Sequence, residues 1–322
     1  MSCIVQYKGT RVYAQSIIPG IIYECENMVE YGAMDEGEIK FNENFHNEMK
    51  VFANKFRIKE NKVVDKDNKE FSMYGNPELK GINNKDKRRY LFDLVHFMPR
   101  DLNFYNKENN GCLLRPEVVY SYEIKLIENK IKDKHPEEYK KISNDLIYLR
   151  KKIRDYKSFG REYVDKLRSN STIFSKYFEE SEKEFRFNTT LHTNSKLSEN
   201  VNYDSDEKLL KDLAHYLKHD LLNEYLLDII ESIDDCPYDS KSLTESLHRY
   251  GINLRYYGDL INIIDKNHPK VLSWLKSLIM RDILIRSASH YFNSLLKDLP
   301  EYLIKAFTAH FLNVFITHSN KQ

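Results

Sequence analysis

The chain has 322 residues, 41% of them apolar, which is enough to bury the core of one large domain or two ordinary ones. With 50 Lys and Arg against 49 Asp and Glu it is neither globally basic nor acidic, so a nucleic-acid or membrane partner would have to read a local patch. Cys3, Cys25, Cys112 and Cys236 form no CxxC pair, which excludes a sequence-encoded zinc cage or disulfide framework and suits a reducing cytoplasmic setting; no run reaches the roughly 18 apolar residues of a membrane span, so neither leader nor membrane insertion is predicted.

From Cys3 to about Tyr105 the patterns are short and β-like. CIVQYKGTRVYAQSII reads as two strands around Lys8-Gly9, and RRYLFDLVHF has an apolar, aromatic strand core. Between them FNENFHNEMKVFANKF is a helix, with Phe45, Met49, Phe52 and Phe56 at helical spacing behind Asn42 or Asn44 as N-cap. A strand pattern that begins at Cys3 resembles a chain cut from something longer. The strand of Val5 and Tyr7 is therefore expected to expose an edge and apolar surface, through which the chain self-associates.

After Cys112 the period turns helical. Pro116 suits a first helical turn, and Val118, Tyr122, Leu126 and Ile127 give that helix a face. Pro136 starts another helix, in which Tyr139, Ile142, Leu146, Leu149, Ile153, Tyr156, Gly160, Tyr163 and Leu167 form one heptad seam; the two helices should pair as an antiparallel hairpin. Ile124 to Arg168 holds 14 Lys or Arg against 8 Asp or Glu, a local +6 in a chain that totals +1. This is either the solvated face of a long helix or an arm that contacts nucleic acid, with Lys151, Lys152 and Arg154, off the seam, as phosphate contacts.

Residues 169–206, rich in Ser, Asn and Thr and without a sustained period, read as a polar linker. From about Glu207, Leu209, Leu210, Leu213, Leu217, Leu221, Tyr225, Leu226 and Ile229 mark an amphipathic helix that Cys236-Pro237 stops. In SLTESLHRYGINLRYYG, Ser242 and Glu245 read as a capping box, Leu243 and Leu247 point inward, and Gly251 supplies a left-handed cap that Ile252 closes. Asn253 would cap the next helix, which buries Leu254, Tyr257, Ile261 and Ile264, while Gly258 leaves room for a close neighbour. Gly251 and Gly258 lie too far apart to cradle a phosphate. Arg249, Arg255 and Tyr256 crowd this junction either as packed structure or as further RNA contacts.

Other chemistry is thinly supported. His215 and His219 stand four apart, but Tyr216 replaces the glutamate of HExxH, so no metal is expected. Nothing in the sequence joins Cys112 to His96 as nucleophile and base. Asn61 and Asp93 faintly suggest the metal-binding pair of a kinase-like phosphotransferase, yet neither a glycine-rich loop nor a catalytic base accompanies them. No cofactor and no catalysis are expected.

SLTESLHRYGINLRYYG resembles the LH..GIN.RYLG signature of the clustered mitochondria (Clu) family, in the part related to the 135-kDa protein associated with translation initiation factor 3. YKGTRVYAQSIIPGII, GINNKDKRRYLFDLVHFMPRDLNF, CLLRPEVVYSYE and AHFLNVF agree in the same order, leaving about 129–184 as a variable basic helical insert. His96 and Arg100 depart from the family pattern, and the chain looks to begin midway through the Clu domain and to stop before the family's tetratricopeptide repeats. The resemblance implies a cytosolic mRNA-binding, translation-associated adaptor that affects mitochondrial distribution, with the translation machinery as a further partner. The other readings are a protein-binding scaffold without RNA, or the phosphotransferase. The expected fold is α+β: a small α+β module (1–110), a basic helical hairpin (111–168), the polar linker (169–206) and a helical domain (207–322).

Overall fold

A computed structural model describes residues 2–7, 10–15, 29–34, 37–84, 88–106, 111–153, 161–231 and 236–318. Strands β1 (Ser2–Tyr7) and β2 (Thr10–Gln15) form an antiparallel ribbon on which Ile4, Val5, Tyr7, Val12 and Tyr13 are exposed. Strands β3 (Val29–Ala33), β4 (Ile39–Lys40), β7 (Lys80–Asn83) and β8 (Arg89–Phe92) make an antiparallel sheet in the order β4-β3-β7-β8, and β5 (Glu60–Val64) pairs with β6 (Glu70–Tyr74). Helix α1 (Glu43–Phe56) begins where the Asn42 side-chain Oδ1 accepts from the backbone amides of Asn44 and Phe45, which settles the cap on Asn42. Its buried ridge runs in steps of four through Phe45, Met49 and Ala53, so Phe52, expected inside, is exposed and Phe56 is only partly covered.

Helices α2 (Pro116–Lys134) and α3 (Pro136–Ile153) pack together as a hairpin, with Pro116 in the first turn. The single seam through Leu167 is corrected. Helix α4 (Arg161–Asn170) folds back onto α3, so that the Tyr163 hydroxyl lies 3.0 Å from that of Tyr148. The same two residues on one straight helix would stand about 22 Å apart. Tyr156 and Gly160 lie outside the described residues.

The polar linker is also corrected. Ser171 caps helix α5 (Thr172–Glu184), accepting from the Phe174 amide at 3.1 Å, and Phe174, Tyr177 and Phe178 are buried against Ile124, Ile131, Leu146, Leu149 and Leu167. The chain then runs beside β5: the Lys59 amide donates to the Phe187 carbonyl at 2.8 Å, and the Val64 amide to Lys196 at 2.9 Å. Asn188, Thr189 and Thr190 are buried here although polar, and hydrogen bonds from Asn188 to Asp206 and from the Thr190 amide to Asn188 help to satisfy them. Arg57, at the left-handed end of α1, holds both carboxylate oxygens of Glu123 at 2.9 and 3.0 Å, and the Ser181 hydroxyl donates to the same carboxylate. Burial raises the Glu123 pKa, opposed by Arg57 and Ser181. This contact ties α2 and α5 to the sheet module.

The second helical core comprises α6 (Asp204–His215), a π-helical stretch (Tyr216–Leu221), α7 (Leu222–Glu231), α8 (Ser240–Arg249), α9 (Tyr257–Asn267) and the start of α10 (Ser273–Leu296). The capping box of α8 is formed by Asp239 with Ser242, which exchange backbone and side-chain hydrogen bonds, not by Ser242 with Glu245. Gly251 does terminate α8 with φ of 78°: its amide returns to the His248 carbonyl and that of Ile252 to Leu247, both at 3.0 Å. Asn253 makes no side-chain cap bond; its amide nitrogen donates to the Leu113 carbonyl. Gly258 has nothing within 4 Å of where a Cβ would stand, so no neighbour requires it. Helix α11 (Ile304–His318) packs on α10 through Phe292, Phe307 and Phe311, leaving Leu284, Tyr291 and Leu312 exposed. Among the described residues no helix is long and apolar enough to cross a membrane.

Candidate nucleic-acid interface

The electrostatics of the α2–α5 unit follow from where α2 puts its acids. Glu117, Glu123 and Glu128 are all buried, and each faces an arginine: Arg115 at 3.3 Å, Arg57 at 2.9 Å and Arg150 at 3.4 Å. Arg150 also reaches Glu224 on α7, at 3.2 Å. Lys130, Lys132, Lys134, Lys140, Lys141 and Lys166 are exposed on α2, α3 and α4, where Asp133, Glu137, Asp145 and Asp165 are exposed too, and Lys140 and Lys141 lie 2.8 and 3.8 Å from Glu137 and Glu138. On α5 exposed Glu179 and Glu184 stand with exposed Lys176 and Lys183, so the excess of exposed lysines lies at the α2–α3 turn, where Lys130, Lys132, Lys134, Lys140 and Lys141 outnumber Asp133 and Glu137.

Aromatic rings are interleaved with these lysines. At the turn the Lys132 ammonium lies 5.9 Å from the centre of the Tyr139 ring, and those of Lys134 and Lys176 lie 6.0 and 5.8 Å from that of Tyr177. The Tyr139 hydroxyl donates to Glu128 at 3.0 Å, and burial, then Glu128, raises its pKa. Sequence reading missed Lys176 and Tyr177 because they sit in the supposed linker. The available signal was Ser171 followed by Phe174, Tyr177 and Phe178, a cap and an apolar stripe.

Lys151 and Lys152 occupy the last turn of α3, and Arg154 lies outside the described residues. Arg249 is exposed in the last turn of α8. Tyr256 is not a surface residue: its ring is fully buried, its hydroxyl donates to both oxygens of Asp101 at 2.9 Å, and the Asn103 amide donates to it at 2.9 Å. Burial, reinforced by the Asp101 charge, pushes that hydroxyl far above the ordinary phenol range, and burial raises the Asp101 carboxyl too. Arg255 stacks over Phe104 at 5.7 Å and comes within 4.0 Å of Asp101, which makes it part of the same packed junction. The junction thus packs in one core, with Tyr256, and the buried face of α3 in another, with Ile142, Leu146 and Leu149.

The remaining candidates are dispersed. Asn61 is buried, its amide donating to the Lys59 carbonyl and Thr190, whereas Asp93 is an exposed left-handed residue before the 3-10 turn Leu94–Phe97. Cys112 turns its thiol to the Asp101 carbonyl, and His96 pairs with Glu78 at 3.1 Å. The rings of His215 and His219 are exposed and 4.3 Å apart, and among the described residues no group of three or more His, Cys, Asp or Glu is placed to hold a metal.

Residues 1–104 match the family model "Clustered mitochondria", and residues 234–322 match "Translation initiation factor eIF3 subunit 135". The chain is 32% identical to the clustered mitochondria protein of Arabidopsis thaliana, over 97% of this chain and 23% of that protein. It is 30% identical to the homolog of Schizosaccharomyces pombe, over 98% of this chain and 28% of the relative. The chain belongs with the clustered mitochondria proteins. It spans about a quarter of the length of these relatives, and no solved structure matches it. In this clustered mitochondria chain the Asp101–Tyr256 contact joins the two matched segments, and the α2–α5 unit falls between them.

Proposed function

We propose that this chain is an RNA-binding, translation-associated part of a clustered mitochondria adaptor, that the outer side of α3 and α4 contacts RNA phosphates, and that it catalyses no reaction. The observation that carries the reading is the inward pairing of Glu117, Glu123 and Glu128 with arginines, which keeps these three α2 carboxylates away from the exposed lysines at the α2–α3 turn. The match to a translation initiation factor subunit supports the link to translation, and the name shared by the relatives supports a role in mitochondrial distribution.

Filter binding of the 322-residue chain to a labelled RNA tests the proposal. Retention that fades as salt is raised is the expected result, and a magnesium-ATP titration should show no saturation. A chain that retains no RNA at low salt refutes the proposal in favour of a protein-binding scaffold, a reading that the uncovered apolar side chains of α10 and α11 favour.

A further inference from the structure

Helix α10 is apolar on two sides. Leu275, Leu278 and Ile279 are buried in the second helical core. Beside them Asp282 accepts from the Tyr257 hydroxyl at 2.8 Å and from Arg286 Nε at 2.7 Å, which fixes the rotation of the helix. Met280, Leu284, Tyr291 and Leu295, at spacings of four, seven and four, form a second stripe, about 180° around the helix from the buried one. They are 52, 55, 61 and 37% exposed, although the Tyr291 ring centre lies 6.4 Å from that of Phe311 on α11. Ser287, Ala288 and Ser294 fill the remaining positions of the stripe, so it carries no charge. A surface helix turns a polar face to water, and one that is apolar on both sides needs a second neighbour.

The stripe is also symmetric. Positions 280 and 295, 284 and 291, and 287 and 288 lie equally far on either side of the Ser287–Ala288 bond. We infer that this face of α10 binds the same face of a second copy of the chain, antiparallel, with a two-fold axis at Ser287–Ala288. Met280 of one copy then faces Leu295 of the other, and Leu284 faces Tyr291, while the small residues at the axis let the two backbones approach. Arg281 stays at the edge, level with Ser294, so the pairing buries no charge. A strongly acidic or basic partner would find nothing on the stripe to answer it. With Arg281, Ile283, Ser287 and Ser294, which are exposed too, the four apolar side chains present about 600 Å² per copy, or about 1,200 Å² in the pair. That is the lower limit of specific interfaces, so the dimer is weak and reversible. It owes nothing to RNA and is separate from the β1–β2 ribbon.

The test is sedimentation equilibrium over a concentration series on the 322-residue chain carrying Val5→Lys/Tyr13→Lys, which takes the ribbon out of the measurement. The chain should follow a monomer–dimer equilibrium. Leu284→Lys or Tyr291→Glu, each added alone, should raise the dissociation constant by more than about tenfold. Leu284→Lys/Tyr291→Glu together should recover most of the loss, because across the two-fold axis each lysine faces the glutamate of the other copy. Ser287→Arg, which sets two guanidinium groups at the closest approach, is an independent disruption. Thermal melts should be unchanged throughout, since all three positions are exposed. A monomer at every concentration, or a dimer that Leu284→Lys and Ser287→Arg leave intact, overturns the proposal. Single variants that dissociate without recovery in the double variant overturn the antiparallel register.

Discussion

Replacing Gly251 tests how α8 is joined to α2. Gly251 has φ of 78°, and a Cβ built on it would lie 2.5 Å from the backbone nitrogen of Val118 and 3.0 Å from its Cβ. The left-handed conformation alone costs a non-glycine residue about 1–2 kcal/mol. The contact lies closer than real Cβ atoms approach, and it is made with the first turn of α2, which Pro116 and the buried Val118 and Val119 hold in place. Overpacking of that kind adds about 1–3 kcal/mol. Gly251→Ala should therefore lose roughly 2–5 kcal/mol, and Gly251→Val no less, lowering the Tm by on the order of 5–10 °C. Gly258→Ala is the internal control, since nothing lies within 4 Å of its Cβ position; it should be neutral or gain up to about 1 kcal/mol. Urea unfolding followed by circular dichroism reads both. A Gly251→Ala midpoint within about 0.5 kcal/mol of the unaltered chain, by the usual m-value conversion, refutes the argument.

Arg57→Met leaves Glu123 buried without its cation and should cost about 3–5 kcal/mol, with Arg57→Met/Glu123→Leu recovering part of the loss; a double variant no more stable than Arg57→Met in urea would show that the pair is not coupled. The Asp239 carboxyl is held below its ordinary pKa first by the Ser242 amide and then by the Ser242 side chain. Its stabilising effect is thus fully present above the unfolded value of about 3.9 and is lost as pH falls through the lower folded value. Asp239→Asn should remove that segment of the acid unfolding curve, and superimposable curves for the two proteins would contradict it. The exposed Val5, Tyr7 and Tyr13 of the β1–β2 ribbon should make the chain self-associate, so sedimentation should find oligomers that Val5→Lys/Tyr13→Lys reduces; a monomer at all concentrations opposes this.

What could be read from the sequence was whatever local chemistry decides. Asn42, Pro116 and Gly251 act within one helical turn, and each sits where the pattern puts it. The register of α8 slipped because Asp239 and Ser242 are also three apart, and a short acid competes with serine for the same cap. Helix α5 and the segment beside β5 were hidden because Asn188, Thr189 and Thr190 are buried polar groups, which imitate a loop in any hydrophobic pattern. The reversal between α3 and α4 keeps the heptad spacing on both sides, so periodicity alone could not reveal it. For the candidate site, the local charge excess was visible in the sequence. Which acids face inward, and that Tyr256 is an anchor for Asp101 rather than a surface, depend on contacts between residues as far as 155 positions apart.

The most direct measurement of the central claim is the salt dependence of RNA affinity for the unaltered chain and for Lys151→Glu/Lys152→Glu/Arg154→Glu. If these side chains meet the phosphates of a single strand, the plot of log affinity against log salt should flatten by about 2 in slope, at about 0.7 per contact, while the melting curve is unchanged. An affinity and slope identical to those of the unaltered chain would contradict the placement of RNA on the α3–α4 side.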